Sequence, residues 1–159
     1  MHDDGKQGYD STTDTIIHIR AVQEHLNGFC IELMNRATKH DESKLREPEK
    51  RLFDELTPIL KTLEYGSPEY KESLARLKPA LDHHYSANSH HPEHYPNGID
   101  DMTLVDIIEM YCDWQAAVQR TKNGDFSKSI EINTKRFNMS PQLAKIFMNT
   151  HKNSAYFFI

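Results

Sequence analysis

TLVDIIEMYCDWQAA, residues 103–117, is the stretch from which the fold of this 159-residue chain can be read. Thr103 followed three residues later by Asp106 has the form of a capping box, an exchange that satisfies the orphan N–H groups at a helix start. Ile107, Met110, Trp114 and Ala117 then recur at steps of three and four, the spacing of one helical face. Asp106, Glu109 and Asp113 make a second stripe at i, i+3 and i+7 of the same helix. An ordinary amphipathic helix would turn such acids to water. Here Leu104, Val105, Ile108, Tyr111 and Cys112 fill in between, so the surroundings are strongly apolar and the acids are expected to point inward. The segment directly follows a histidine-rich loop.

Helical patterning continues on both sides. Ser11, Thr12 and Thr13 offer N-caps for a helix with Ile17, Val22 and Leu26 on its apolar face. Asn27-Gly28 predicts a break, after which Phe29, Leu33 and Ala37 lead to His40. Glu47-Pro48 opens a helix with Leu52, Phe53 and Leu56, which Pro58 kinks or ends. Tyr65-Gly66 is a stop, and Ser67-Pro68 an N-cap with proline at the first helical position. Leu74, Leu77 and Leu81 carry that helix past a kink at Pro79 to His83-His84. Residues 86–100, with Pro92, Pro96 and Asn97-Gly98, are irregular. Asn123-Gly124 ends the helix that begins at Thr103. Short helices are expected around 130–137 and from Ser140-Pro141 through Leu143, Ile146 and Phe147. No strand alternation and no internal repeat is present. The expected fold is all-α, a compact single-domain bundle of six or seven helices over residues 13–159, with a flexible polar tail over 1–12.

Composition narrows the function. A net charge of −5 argues against a general nucleic-acid surface, which needs a basic field. No apolar run approaches the roughly 20 residues that span a bilayer, and no charged-then-apolar leader opens the chain, so a cytoplasmic protein is expected. Cys30 and Cys112 lack metal-binding spacing and read as buried thiols in a reducing compartment. A small anionic substrate remains compatible, because a bound cation can dominate the local field.

The chemistry is concentrated in histidine. The chain holds 10 histidines, and five of them, His83, His84, His90, His91 and His94, fall within twelve positions. His40-Asp41 supplies an imidazole nitrogen and a carboxylate from adjacent residues, and such a carboxylate can bridge two cations. Donors of this kind suit Fe, Mn, Co, Ni or Zn, one or two ions, better than Ca or Mg. On one straight helix His18 and His40 would stand roughly 33 Å apart along the axis. A hairpin at Asn27-Gly28 would bring them level, and His25 lies too near that turn to take the place of His18.

In order, His18, His40-Asp41 and Asp113, with Lys44 completing an HD-x-x-K form, resemble the HD superfamily of metal-dependent phosphohydrolases. His90-His91 followed by Tyr95-Pro96-Asn97-Gly98 resembles the paired-histidine segment of its binuclear branch, where four histidines and two aspartates hold two ions. The resemblance implies an all-helical fold and metal ligation by His18, His40, Asp41 and Asp113. It adds one of His83/His84 and one of His90/His91, taken as His84 and His91. The run from Thr15-Ile16-Ile17-His18 through His40-Asp41 to Cys112-Asp113-Trp114 is also similar to a family of small phage and bacterial proteins of no known activity. A phage origin would place the protein in the host cytoplasm.

The implied reaction is hydrolysis of a phosphate ester or anhydride by metal-activated water, with a nucleotide as the expected substrate. Lys44 would meet the phosphate as a point charge. His83 and His90 are left for proton transfer, and Glu109 would act as a base or orient a ligand. Two alternatives stand beside this. The same four-histidine, two-aspartate set can hold a di-iron centre that activates oxygen. A metal-stabilised phage protein could instead bind a partner without catalysis. The apolar end Tyr156-Phe157-Phe158-Ile159 would pack on the protein's own core or dock in a homo-oligomer or partner groove.

Overall fold

The computed structural model describes residues 9–64, 67–120 and 124–153. Among them are six α-helices and no strand, so the chain is all-α as its patterning predicts. The helices are α1 Thr12–Lys39, α2 Glu49–Leu60, α3 Pro68–Ala87, α4 Leu104–Gln119, α5 Phe126–Arg136 and α6 Pro141–Lys152. Short 3-10 turns occupy Glu42–Leu45, Pro92–His94 and Gly98–Asp101. By its internal contacts the chain divides into two units, Met1–Thr38 and Lys39–Ile159. No helix is long and apolar enough to cross a membrane among the described residues. The end of the tail at residues 1–8, Tyr65-Gly66, Asn123 and the apolar Tyr156–Ile159 lie outside those residues.

The first unit corrects an expectation. Helix α1 runs unbroken for 28 residues through Asn27-Gly28. Glycine costs only about 1 kcal/mol against alanine in a helix, too little to end one that flanking turns already propagate. The hairpin therefore does not form, and seven possible helices become six. His18 stays roughly 30 Å along the axis from Thr38, so the fold-back that would have made it a ligand is absent. Ile17, Val22 and Leu26, expected as the apolar face, are exposed, as is Cys30. Nothing lies within 4 Å of a Cβ built on Gly28. Gly28→Ala should consequently slow amide exchange across the middle of α1, by the roughly five-fold that about 1 kcal/mol confers. Faster exchange there would mean that the glycine marks a real interruption.

In the second unit, α2 and α3 enclose Leu56, Leu77 and Ala80, with Leu52, Phe53, Leu60 and Leu81 packed around them. Ser67 caps α3 by accepting from the Tyr70 N–H at 3.1 Å. Pro58 falls two residues before the end of α2, and Pro79 does not interrupt α3. The second core lies between α4, α5 and α6, where Met110, Tyr111, Trp114, Phe126, Ile130, Met139 and Phe147 are buried together. The capping box at Thr103 and Asp106 is formed in both directions. Asp125 caps α5 through the Ser127 and Lys128 N–H groups, and Ser140 caps α6 through Leu143. Cys112, expected buried, is a free and exposed thiol.

Candidate metal centre

The site is built within the second unit from the turn after Lys39, the C-terminal end of α3, the loop that follows it and the middle of α4. After Lys39 the chain turns through His40, and Asp41 adopts a left-handed backbone, φ 56°. Aspartate tolerates that region better than most side chains, though still at a cost of order 1 kcal/mol. Lys44, in the following 3-10 turn, donates to Asp41 Oδ2 at 2.6 Å. The C-terminal turns of α3 bring His83 and His84, the loop after α3 brings His90 and His91, and α4 brings Glu109 and Asp113.

Four donor atoms face one another. His84 Nε2 lies 3.2 Å and His90 Nε2 3.5 Å from Asp41 Oδ1, and His84 Nε2 is 2.9 Å from His91 Nε2. All four residues can place a ligand atom within 4.8 Å of the others. Despite these approaches, Asp41 Oδ1 and His90 Nε2 are buried and make no hydrogen bond. Each such orphan costs about 1–3 kcal/mol, so two in one spot call for a partner that is positively charged and accepts a lone pair from each. A cation meets both conditions.

A second position adjoins the first. His40 Nε2 stands 3.7 Å from Asp41 Oδ2 and 3.8 Å from Asp113 Oδ1, and these three residues form another possible ligand group. Asp41 thus offers Oδ1 to one position and Oδ2 to the other. Together the two groups comprise His40, His84, His90, His91, Asp41 and Asp113. This donor set fits one or two divalent transition ions.

Electrostatics without a cation reflects the crowding. Asp113 and then Glu109, beside His40, push its imidazole up to about 10, against the opposing effect of burial. Burial, reinforced by His90 and His84, pushes His91 down to about 3, which leaves its ring neutral and able to ligate at pH 7. Burial pushes Asp41 up, but His84, His90 and Lys44 outweigh it and hold the carboxyl well below its usual range. Burial also pushes His90 down, and there Asp41 and Glu109 prevail and raise it. Asp113 is lowered, its desolvation outweighed by His40. A cation bound at His40 would have to displace a proton from that ring, which would make its affinity rise with pH.

Behind these atoms, carboxylates orient the rings. Glu109 Oε1 accepts from His40 Nδ1 at 2.9 Å and lies 3.2 Å from His90 Nδ1. With Nδ1 facing the carboxylate, each Nε2 is turned to the cation positions. Glu49 is fully buried and holds His84 Nδ1 at 3.0 Å, His83 Nδ1 at 2.7 Å and the Ser43 hydroxyl at 3.0 Å. Asn88 donates to the His84 carbonyl and to Ser43 Oγ, both at 2.8 Å. Asp106, almost wholly buried, accepts from Ser89 Oγ at 2.7 Å and from the Tyr95 hydroxyl at 2.9 Å. It pins both sides of the His90-His91 loop to the start of α4.

His40, Asp41, His84, His91 and Asp113, the set that the resemblance implies apart from His18, are thus brought together. His90, expected as a proton-transfer residue, stands among the ligand atoms. Glu109 takes the orienting role of the two considered, and Lys44 sits on Asp41. His83 is tied to Glu49, behind His84. His94 contacts the Tyr85 carbonyl instead of the cluster. Glu49, Ser43 and Asn88 were not foreseen.

A family model described as "Family of unknown function (DUF5662)" matches residues 7–153. Neither a curated protein nor a solved structure matches the chain.

Proposed function

We propose that this chain, which belongs to the DUF5662 family of unknown function, is a metal-dependent phosphohydrolase of the HD type. Its substrate would be a small anionic phosphate ester or anhydride, with a nucleotide the expected class. The observation that carries the reading is the facing set of Asp41, His84, His90 and His91, with two buried orphan atoms, beside a second position that shares Asp41. Bound there, one or two ions of Fe, Mn, Co, Ni or Zn would supply an acidified water and neutralise phosphate oxygens.

The chain's own residues account for the remaining requirements. Glu109 holds two rings in the ligating orientation, and Glu49 a third, so little reorganisation is left for the moment of reaction. The Lys44 ammonium, which pairs with Asp41 Oδ2 in this structure, would be available to an incoming phosphate if Asp41 served as a ligand.

The test is phosphate or nucleoside release from a nucleotide panel by protein loaded with Mn²⁺ or Fe²⁺. Lys44→Ala should lower kcat/KM about 10²-fold while leaving metal content unchanged, the size seen for single electrostatic donors. Absence of turnover with every nucleotide and simple phosphodiester overturns the reading. Oxygen consumption by the ferrous protein would replace it with the di-iron alternative, since the same ligands serve both chemistries.

A further inference from the structure

We propose that the cavity beside the metal centre is a nucleobase subsite, in which Arg136, Glu93 and Asn133 read the edge of the base. This rests on the phosphohydrolase reading of the neighbouring centre and extends it to substrate recognition. The cavity has a volume of about 230 Å³, and its wall includes His91 and Asp113. Those two residues belong to different ligand groups of the centre. A phosphate bound across both positions would therefore have this cavity as its immediate neighbour.

The walls divide by chemistry. One part is aromatic: Tyr85, Trp114 and Phe137 line it, and the Trp114 and Phe137 rings stack 6.0 Å apart at an interplanar angle of 10°. Flat apolar surfaces of this kind favour a planar ring over a flexible chain. The other part is polar. Arg136 Nη2 donates to Glu93 Oε1 at 2.6 Å while the guanidinium lies 4.7 Å from the centre of the Phe137 ring. Asn133 stands one helical turn before Phe137, its amide nitrogen 3.4 Å from Ser129 Oγ.

Charge decides what the polar part takes. A lone guanidinium would call for a second phosphate or a carboxylate. Here the Glu93 carboxylate already neutralises it and would repel such an anion. What remains is a donor and an acceptor side by side with an amide close to them. That arrangement suits the alternating donors and acceptors of a base edge, the groups that Arg, Asn and Glu recognise in nucleic acids. The volume falls below the roughly 300–1,000 Å³ of pockets that enclose drug-sized ligands, so one base fits and a longer oligonucleotide does not. The favoured substrate is then a nucleoside monophosphate. Its P–O ester bond breaks, the oxygen of water joins phosphorus, and a proton from that water ends on the nucleoside hydroxyl.

The chain has 1 tryptophan, and Trp114 lines the cavity, so its fluorescence reports occupancy without turnover. Full-length protein, as purified with its metal, is titrated with adenosine, guanosine, cytidine, uridine, ribose and inorganic phosphate. At least one nucleoside should produce a saturable change that inorganic phosphate does not compete away, and ribose none. Arg136→Met and Asn133→Ala should each weaken that nucleoside at least about tenfold, as expected when a base loses a built hydrogen-bonding partner. Lys145→Ala, on α6 away from this cavity, should leave it unchanged. Glu93→Gln, by freeing the guanidinium, should let phosphate compete for the cavity. No saturable change with any nucleoside, or equal affinity in wild type and in both Arg136→Met and Asn133→Ala, overturns the subsite. Nucleoside binding of the expected pattern without hydrolysis by metal-loaded protein supports the subsite and removes the hydrolase reading. Nucleotide hydrolysis indifferent to the base and to both substitutions removes the subsite and keeps the hydrolase.

Discussion

Asp41→Asn protein should leave purification with almost no transition metal, and its melting temperature should not respond to chelator. Asparagine shares the tolerance of aspartate for a left-handed backbone, so the turn at φ 56° survives the change. What is lost is the charge at a residue shared by the two ligand groups that hold His91 and Asp113. Wild-type protein should behave differently. Free metal at a hundredfold excess over its Kd adds about 2.7 kcal/mol to stability. For a chain of this size that corresponds to roughly 5–10 °C in Tm. Elemental analysis and paired melting curves check both halves. Wild-type curves that coincide with and without chelator, once removal of metal is verified, would sink the metal centre. Turnover, where present, should vanish with the metal, because the reactive water depends on it.

The second large effect is expected at Glu49, which touches no candidate ion. Its carboxylate is fully buried and meets two imidazoles and a hydroxyl. Glu49→Gln replaces one acceptor oxygen with a donor, so an imidazole must change tautomer or the Ser43 hydroxyl must turn, or an amide N–H is left facing another donor. Leaving a buried hydrogen-bonding group opposed in this way costs about 3 kcal/mol. The same change frees the His84 ring from its fixed orientation, and loss of such an outer partner lowers metal affinity about 10–100-fold. Denaturant unfolding of chelated protein reads the first consequence, and competition against a chromogenic chelator reads the second. A Gln variant that matches wild type in both would show that His84 is held by Ser43 and Asn88 alone.

Local chemistry explains which features were legible in the sequence. The Thr103–Asp106 capping box, Ser67-Pro68 and Ser140-Pro141 mark helix starts because each satisfies orphan N–H groups within four residues. The inward turn of Glu109 and Asp113 was legible for a related reason, since Ile107, Met110 and Trp114 on the same helix draw that side into the core. The continuity of α1 was not. A glycine signal weighs about 1 kcal/mol, and whether it breaks a helix depends on the cooperative length around it. His18 was misplaced with it. His40, Asp41, His84, His91 and Asp113 stand out by residue type and order, but which atom of each ring faces a cation depends on distant partners. Glu49 illustrates the limit most sharply. A glutamate in the first turn of a helix favours the N-terminal dipole and is commonly solvated. Its burial arises from α3, more than thirty residues away, and nothing local announces it.

Three imidazoles converging on one carboxylate have a consequence for what the protein carries. Nitrogen-rich sites follow the Irving–Williams order, binding copper and nickel more tightly than iron or manganese. Intrinsic affinity would then oppose, rather than select, the ions suited to hydrolysis or oxygen chemistry. An ion held there would record what the surroundings supplied, and contact with a nickel column or trace copper would overwrite that record. Two preparations of the same chain, alike in sequence and charge, would then differ in metal content by their history alone.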